Sequence, residues 1–311
     1  MWPFLAWFPA QRLVLFKWVL LLFTLLPLLS NTVRQPSFLA HLLVSVKRHW
    51  SNYLTEAAGI FLFLFMSGLT ATAVHYPGSW LAEQLAGHAV LERAVIGLVV
   101  GLTVVVIVYS PWGKRSGAHV NPAVTVGFWQ LGKIRPADAC WYVLAQVAGA
   151  LLAGQALLLV LGRYFAHPDV NYVLTKPGPD GVAVAFGAEF LITFIMAAVL
   201  FMALHTKRLQ NLAGWLLGAL LALYVVVETP YSGMSLNPAR SLGSAVAAHD
   251  YAALWVYWVA PPLAGWLAAV LFQLLFRDSP LSGSSIAGPN SSAGSSASTK
   301  TSTEPPQHPV E

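Results

Sequence analysis

The chain has 311 residues and a formal net charge of +5, and 57% of its residues are hydrophobic while only 9% are charged. Since a soluble domain carries about 25% charged residues, a molecule fully surrounded by water is excluded. The positive charge does not indicate nucleic-acid binding, because the basic residues lie in short clusters beside apolar runs, as they do in membrane proteins. The single cysteine, Cys140, excludes an internal disulfide.

Residues 1–50 form an N-terminal extension. Within it, residues 13–29 form an apolar run that contains Lys17 and Pro27, and they lack a clear small-residue cleavage site, which argues against a removed signal peptide. A full membrane crossing here would place Arg12 on the outer side, against the distribution of the other basic residues. We therefore expect an interfacial or partly inserted helix.

Six further apolar stretches are long enough to cross a bilayer, which takes about 20 helical residues. All the basic clusters fall on one side if the chain crosses six times and residues 111–135 re-enter the membrane. Both ends of this core are then expected in the cytoplasm, with the protein in a plasma or inner membrane. The predicted spans are 52–75, 92–110, 136–162, 182–204, 211–229 and 251–276.

The tripeptide Asn-Pro-Ala occurs twice between these spans, 116 residues apart. Asn favours the N-cap and Pro the first turn of a helix, so each copy predicts the start of a short helix, over 121–131 and 237–247. Three spans per half is an odd number, so the halves have opposite orientations and the two short helices enter from opposite sides. Their N-termini then meet, each carrying about half a positive charge. The motif residues are Asn121, Pro122, Ala123, Asn237, Pro238 and Ala239.

The repeat extends beyond the motif, with halves of about 51–165 and 180–276. At the same spacing Gly149 corresponds to Gly265, which predicts an equal distance from each motif to its following span. Glu56 and Glu189 form a second related pair, placed inside the first and fourth spans. Ionisable groups are rare at that depth, and we expect this pair to hold re-entrant backbone rather than to relay protons. For His119, a hydrogen bond that fixes the loop is expected rather than a pH gate.

The sequences SGAHVNPAVT and SGMSLNPARS, which begin at Ser116 and Ser232, closely resemble the paired motifs of aquaporin-type channels of the major intrinsic protein family. The resemblance covers about residues 50–276. It implies an all-α membrane protein with six transmembrane helices and two re-entrant half-helices in an inverted repeat. It also implies a homotetramer in the lipid bilayer with one pore per subunit. In such a pore, Asn121 and Asn237 donate hydrogen bonds to water passing in single file, while the helix ends repel protons and cations.

The resemblance places Arg240 at the narrow filter of the pore, whereas its counterpart in the first half is Val124. A buried arginine is costly unless it lines water or is paired, so the alternative is a structural arginine bound to a loop carbonyl. Matching the flanking spans to the family completes the predicted filter with Val100, Val225 and Met234. A shift of one residue in the fifth span would bring Tyr224 into the filter instead of Val225.

The residues around the filter give two indications about the solute. Ser241 follows Arg240, where glycerol channels of the family usually have Asp, and this resembles the water-selective branch. The apolar ring instead resembles members that pass small neutral solutes. We expect a passive channel for water and other small neutral solutes. The alternatives are a facilitator of glycerol, urea, ammonia or similar molecules with little water conduction, and a secondary transporter, which also uses inverted repeats.

Three further points complete the expectations from the sequence. The membrane region lacks the HExxH and GxSxG patterns and any metal-ligand cluster, so we expect no enzyme activity, catalytic residue, metal site or cofactor. Glu228, at the end of the fifth predicted span, is expected either to line the outer mouth or to bind the loop. Residues 277–311 are rich in Ser, Gly, Thr and Pro, which predicts a disordered cytoplasmic tail.

Overall fold

The computed structural model describes residues 38–276, and within that range all regular structure is helical. The predicted apolar helix at 13–29 and the predicted tail at 277–311 lie outside the described residues. Three short helices connect the longer ones, at Trp80–Leu85, Pro111–Ser116 and Thr229–Ser232. The main helices are α1 (Phe38–His75), α2 (Ala89–Tyr109), α3 (Pro122–Gln130), α4 (Pro136–Leu161), α5 (Val182–His205), α6 (Ala213–Val227), α7 (Pro238–Ala248) and α8 (Leu254–Leu275).

Six of these helices, α1, α2, α4, α5, α6 and α8, are long and apolar enough to cross a membrane. They confirm the six predicted spans, and their outer faces expose large apolar side chains, such as Leu159 at 87%. The one large difference in bounds is at α1, which begins at Phe38 rather than at residue 52. Residues 38–51 include basic and polar side chains that interrupt the apolar run, but backbone hydrogen bonding continues through them.

The chain divides into two compact units between Val44 and Ser45. Of the first unit, only the helical residues 38–44 are described. The second unit contains the rest of α1 and all the other helices, and the site described below lies entirely within it.

The spans of the second unit pack as two inverted halves. Helix α2 packs against α6 with glycines at the contact, where a Cβ on Gly101 would lie 2.4 Å from the carbonyl oxygen of Gly218. Helix α5 packs against α8. Each short helix packs against the third span of the opposite half, α3 against α8 and α7 against α4. This exchange of contacts joins the halves and confirms the predicted inverted repeat with two half-helices.

Two tyrosines show how the repeats superimpose. The Tyr142 hydroxyl donates to the Ser116 carbonyl at 2.6 Å, and the Tyr257 hydroxyl donates to the Ser232 carbonyl. The two acceptors are 116 residues apart in the sequence, but the two donors are 115 apart. Between the half-helix loop and the third span, the second half is therefore one residue shorter than the first half.

The half-helix contacts show the same displacement. A Cβ on Gly127 would approach the carbonyl oxygen of Gly265, and a Cβ on Gly243 would approach that of Ala150. Gly265 is thus the counterpart of Ala150, and its predicted correspondence with Gly149 is wrong by one residue. The connection between half-helix and span absorbs the difference in length. Small residues recur at these helix contacts, so the sequence alone left the register ambiguous.

Candidate functional site: the meeting point of two half-helices

Both half-helices begin with a capped N-terminus. The side-chain oxygen of Asn121 accepts the Ala123 N–H at 2.8 Å. The side-chain oxygen of Asn237 accepts the N–H groups of Ala239 at 3.1 Å and Arg240 at 3.2 Å. The proline of each motif occupies the first turn, where its missing N–H is not needed. The predicted cap chemistry is therefore present in both halves.

The same two asparagines also connect the halves. The amide nitrogen of Asn121 donates to the Leu236 carbonyl at 2.9 Å, and that of Asn237 donates to the Val120 carbonyl at 2.8 Å. An amide nitrogen carries two N–H groups, so each side chain keeps a second donor. Both asparagines lie on the wall of a cavity. The second donors are therefore available to a molecule inside it.

The loops that lead into the half-helices have an unusual backbone. Ala118 and Val120 have φ values of 48° and 51°, and Met234 and Leu236 have 48° and 60°. Left-handed conformations are unfavourable for residues with a Cβ, above all for β-branched valine, and cost of order 1–3 kcal/mol each. Such loops persist only where their surroundings hold them firmly.

In the first half, Glu56 provides that support. Its carboxylate is fully buried and accepts the N–H groups of His119 at 3.0 Å and Val120 at 2.6 Å. It also accepts the Ser116 hydroxyl at 2.7 Å and the Gln146 amide at 2.8 Å. Four donors therefore compensate for the burial of its charge.

Glu189 has the corresponding position in the second half. Its buried carboxylate accepts the Ser232 hydroxyl at 2.6 Å and the N–H groups of Ser235 at 2.7 Å and Leu236 at 2.8 Å. Both glutamates thus lie against re-entrant backbone, which cannot be hydrated by lipid. They satisfy its donors and fix its left-handed turns.

Two supporting residues were missed by the sequence analysis. Gln146 binds Glu56 and also donates to the Thr125 hydroxyl at 3.1 Å. The Thr175 hydroxyl donates to the Ser241 hydroxyl at 2.8 Å. A polar amide inside the third apolar run was a usable signal for Gln146, whereas Thr175 lies in a connection with no distinguishing pattern.

A cavity extends from the two asparagines along α2 and α6 toward the side that carries the basic residues of 114–115. Its wall is apolar except for His119, Asn121, Ser235 and Asn237. An apolar wall holds water weakly, so these few polar groups provide the fixed hydrogen-bonding positions along it. The arrangement suits passage rather than tight binding.

His119 lies at the edge of this cavity. Its ring stacks on Phe128 with centroids 4.6 Å apart, and its Nδ1 is 3.2 Å from the Thr125 hydroxyl. The buried Nε2 has no hydrogen-bond partner among residues 38–276. The Nδ1 contact joins the loop before the half-helix to Thr125 on the half-helix, which is the loop-fixing kind of contact expected from the sequence.

Arg240 is 9% exposed, and its Nη1 donates to the Val173 carbonyl at 2.7 Å. Val173 ends a left-handed turn in which Asn171, Tyr172 and Val173 have φ values of 44°, 56° and 47°. The arginine is therefore paired with a loop carbonyl. A guanidinium has five N–H donors, so this pairing leaves others for a solute.

The other predicted filter residues are buried next to the cavity rather than on its wall. Val100 is four residues before Val104 on α2, and Val225 is four residues after Leu221 on α6. Val104 and Leu221 line the cavity, and residues four apart share a helix face. Both valines therefore continue the cavity-lining faces beyond the asparagines. Met234 lies in the loop before Asn237, and Tyr224 is also buried.

The paired caps, the crossed amide bonds and the inverted spans agree with the match to a family profile. The profile described as "Major intrinsic protein" matches residues 43–272. The chain belongs to the major intrinsic protein family. Membership in this family makes it a multi-pass membrane protein and a passive channel for small solutes, not an enzyme.

Named relatives agree with this assignment. The chain is 36% identical to Aquaporin NIP1-2 of Arabidopsis thaliana over 234 residues, which covers 73% of this chain and 75% of the relative. It is 38% identical to Aquaporin NIP1-2 of Oryza sativa subsp. japonica over 208 residues, covering 66% and 68%. The X-ray structure of the aquaglyceroporin from Plasmodium falciparum matches with a TM-score of 0.60 at 22% identity, covering 72% of this chain and 95% of that one. At that identity the structural match shows the fold.

Proposed function

We propose that this channel conducts water together with other small uncharged solutes and excludes protons and cations. The observation that carries the proposal is the pair of crossed bonds from Asn121 and Asn237, which fixes two helix N-termini against each other at one end of an apolar cavity. The positive ends of the helices disfavour a cation there. The remaining amide N–H groups donate to the oxygen of a neutral molecule.

Selection among neutral solutes belongs, in this proposal, to Val100, Val225, Met234 and Arg240. Three of these side chains are apolar, and the fourth is a cation held by the Val173 carbonyl. A ring with one strong donor and no aromatic group places few demands on the hydrogen bonding of a solute. This supports passage of more than water alone.

A facilitator with little water conduction is the second candidate. It is favoured by the same apolar ring, because water loses hydrogen bonds when it passes side chains that replace none of them. The relatives are named aquaporins, which favours water as one of the solutes.

Stopped-flow measurements on proteoliposomes would separate these candidates. We expect the permeabilities to water, glycerol, urea and ammonia to rise above those of protein-free vesicles in the same preparation. A rise for the solutes but not for water would favour the facilitator, and no rise for any of them would contradict both. Transport that requires an ion gradient would indicate a secondary transporter, so each measurement is repeated with gradients collapsed by ionophores.

We further propose a homotetramer with one pore per subunit, placed in a plasma or inner membrane with both ends of the core in the cytoplasm. The one-sided distribution of basic residues supports this orientation. Labelling of Lys114→Cys in a Cys140→Ala background, from one side of sealed vesicles, tests the orientation. Crosslinking in the membrane tests the tetramer.

A further inference from the structure

Glu228 is a buried carboxyl without a hydrogen-bond partner. It caps the C-terminus of α6, just after the last residue of that span, and is 4% exposed. Neither of its carboxylate oxygens accepts a hydrogen bond from a residue within 38–276. Buried polar groups are nearly always hydrogen-bonded, so an orphaned carboxyl requires an explanation.

The position of Glu228 relates it to the pore. It follows Leu217 and Leu221 by eleven and seven residues on α6, spacings that keep all three on one face of a helix. Leu217 and Leu221 line the cavity. Glu228 therefore continues the pore-facing side of α6, one turn beyond Val225.

The loop that leads into α7 lies beside Glu228. The Ser232 hydroxyl and the Met234 N–H are close enough to stabilise a negative charge on it. Both are directed to other acceptors, since Ser232 donates to Glu189 at 2.6 Å and Met234 donates to the Ser232 hydroxyl oxygen at 3.2 Å. The two donors thus support Glu189 in this conformation and leave Glu228 unpaired.

The charged and titratable groups around Glu228 do not neutralise it through a hydrogen bond. Glu189 on α5 adds a second carboxyl, and Tyr257 on α8 adds a phenol. Arg240 on α7 is bound to the Val173 carbonyl. Arg93 on α2 donates through Nε to the Val226 carbonyl at 2.8 Å. Two buried carboxyls close together are not readily both ionised.

Burial, followed by the nearby Glu189 carboxylate, raises the pKa of Glu228 to about 8. The group is therefore mostly neutral at pH 7. Above about pH 8 it becomes an unpaired buried charge, which is unfavourable unless hydrogen-bond donors bind it. The donors within reach are those that hold the loop.

We infer that Glu228 is a positioning residue: its neutral carboxyl permits the Ser232–Met234 loop to hold the filter open, and ionisation draws the loop away and lowers permeability. The inference rests on the proposed function, because Met234 and Arg240 act as filter residues only in that proposal. The ionised carboxylate would take the Ser232 hydroxyl and the Met234 N–H as donors. Met234 would then move and Glu189 would lose support.

Water permeability across a range of pH tests this inference. Proteoliposomes with equal pH on both sides are measured by stopped flow from pH 6 to 10 for the wild type, Glu228→Gln and the control Glu83→Gln, which changes an exposed glutamate. We expect the wild type and the control to lose at least half of their permeability with a midpoint near pH 8. Glu228→Gln, which has a similar shape but cannot ionise, should retain its pH 7 value throughout. A flat wild-type profile, or an unchanged profile in Glu228→Gln, would overturn the inference.

Hydrogen exchange provides a measurement that does not depend on conduction. After correction for the intrinsic effect of pH, peptides covering residues 229–240 should exchange faster above pH 8 than below it in the wild type, but not in Glu228→Gln. Equal protection on both sides of pH 8 in the wild type would contradict the inference even if that variant failed to fold. A protein that conducts neither water nor glycerol at any pH would contradict the proposed function, and the exchange result would still decide the role of Glu228.

Discussion

The amide of Asn121 donates to the carbonyl oxygen of Leu236, which belongs to the loop of the opposite half. The inverted bond runs from Asn237 to Val120. Each asparagine therefore caps its own helix, supports the other loop and keeps one N–H for the cavity. One asparagine side chain therefore has three functions. Asp could not replace it because a carboxylate has no N–H donors. Ser could not replace it because its side chain is too short to reach the opposite loop.

We expect Asn237→Asp to reduce water permeability several-fold and to increase cation leakage. The carboxylate cannot donate to the Val120 carbonyl and would repel it, and losing a buried hydrogen bond costs about 1–3 kcal/mol. The added negative charge also opposes the positive potential at the helix ends. Vesicle swelling and a cation-sensitive dye measure the two effects. Gln84→Glu, which makes the same charge change at an exposed position, should alter neither, and an unchanged leak in Asn237→Asp would argue against exclusion at this point.

Arg240→Val makes the second half resemble the first, where Val124 occupies the equivalent position. It removes the bond to the Val173 carbonyl and the only charged donor of the proposed filter. We expect glycerol and urea permeability to rise at least two-fold relative to water, because the ring becomes wider and wholly apolar. Arg163→Val, which removes the same charge at an exposed position, serves as the control. Unchanged solute ratios would mean that Arg240 has only a structural role.

Val225→His tests the register of the fifth span. A histidine there would narrow the ring and add a donor, so glycerol permeability should fall several-fold while water permeability is retained. Val227→His places the same side chain on a half-exposed position of α6 and should have no effect. If Val225→His is also silent and Tyr224→Ala changes selectivity, Tyr224 occupies the filter instead.

Much of this architecture follows from local signals. Hydropathy marks the spans, because about 20 apolar residues are needed to cross the bilayer. The Asn-Pro pairs mark the half-helices within a residue or two, because capping depends on the residues at the helix start.

Other features depend on contacts between distant segments, which no local pattern encodes. The one-residue displacement of Tyr257 relative to Tyr142 arises in a connection whose length is free to vary. The turn that presents the Val173 carbonyl to Arg240 consists of ordinary residues in left-handed conformations. The lack of a hydrogen-bond partner for Glu228 cannot be read from the sequence, because it depends on the nearby Ser232 hydroxyl and Met234 N–H binding other acceptors.

Glu56→Gln should destabilise the protein by about 3 kcal/mol, in line with the loss of a buried hydrogen-bonded charge network. A glutamine has one acceptor oxygen and directs an NH₂ group at donors, whereas four donors converge on Glu56. Thermal unfolding in detergent gives the change in midpoint. The exposed Glu83→Gln substitution should leave the midpoint unchanged. A midpoint for Glu56→Gln within a degree of the wild type would contradict the proposed role of the carboxylate in holding the loop.

Gly101→Ala should separate α2 from α6. The added Cβ would lie 2.4 Å from the Gly218 carbonyl oxygen, which is backbone and cannot rotate away. Overpacking of this kind costs about 1–3 kcal/mol, so the thermal midpoint should fall. Because Val100 and Val225 lie on these same two helices, the solute selectivity should change as well. Gly187→Ala, where a Cβ meets nothing within 4 Å, is the matched control. It should be neutral or stabilising by up to about 1 kcal/mol, because alanine favours the helix over glycine. If Gly101→Ala and Gly187→Ala had the same effect, Gly101 would not be needed for the close approach of α2 and α6.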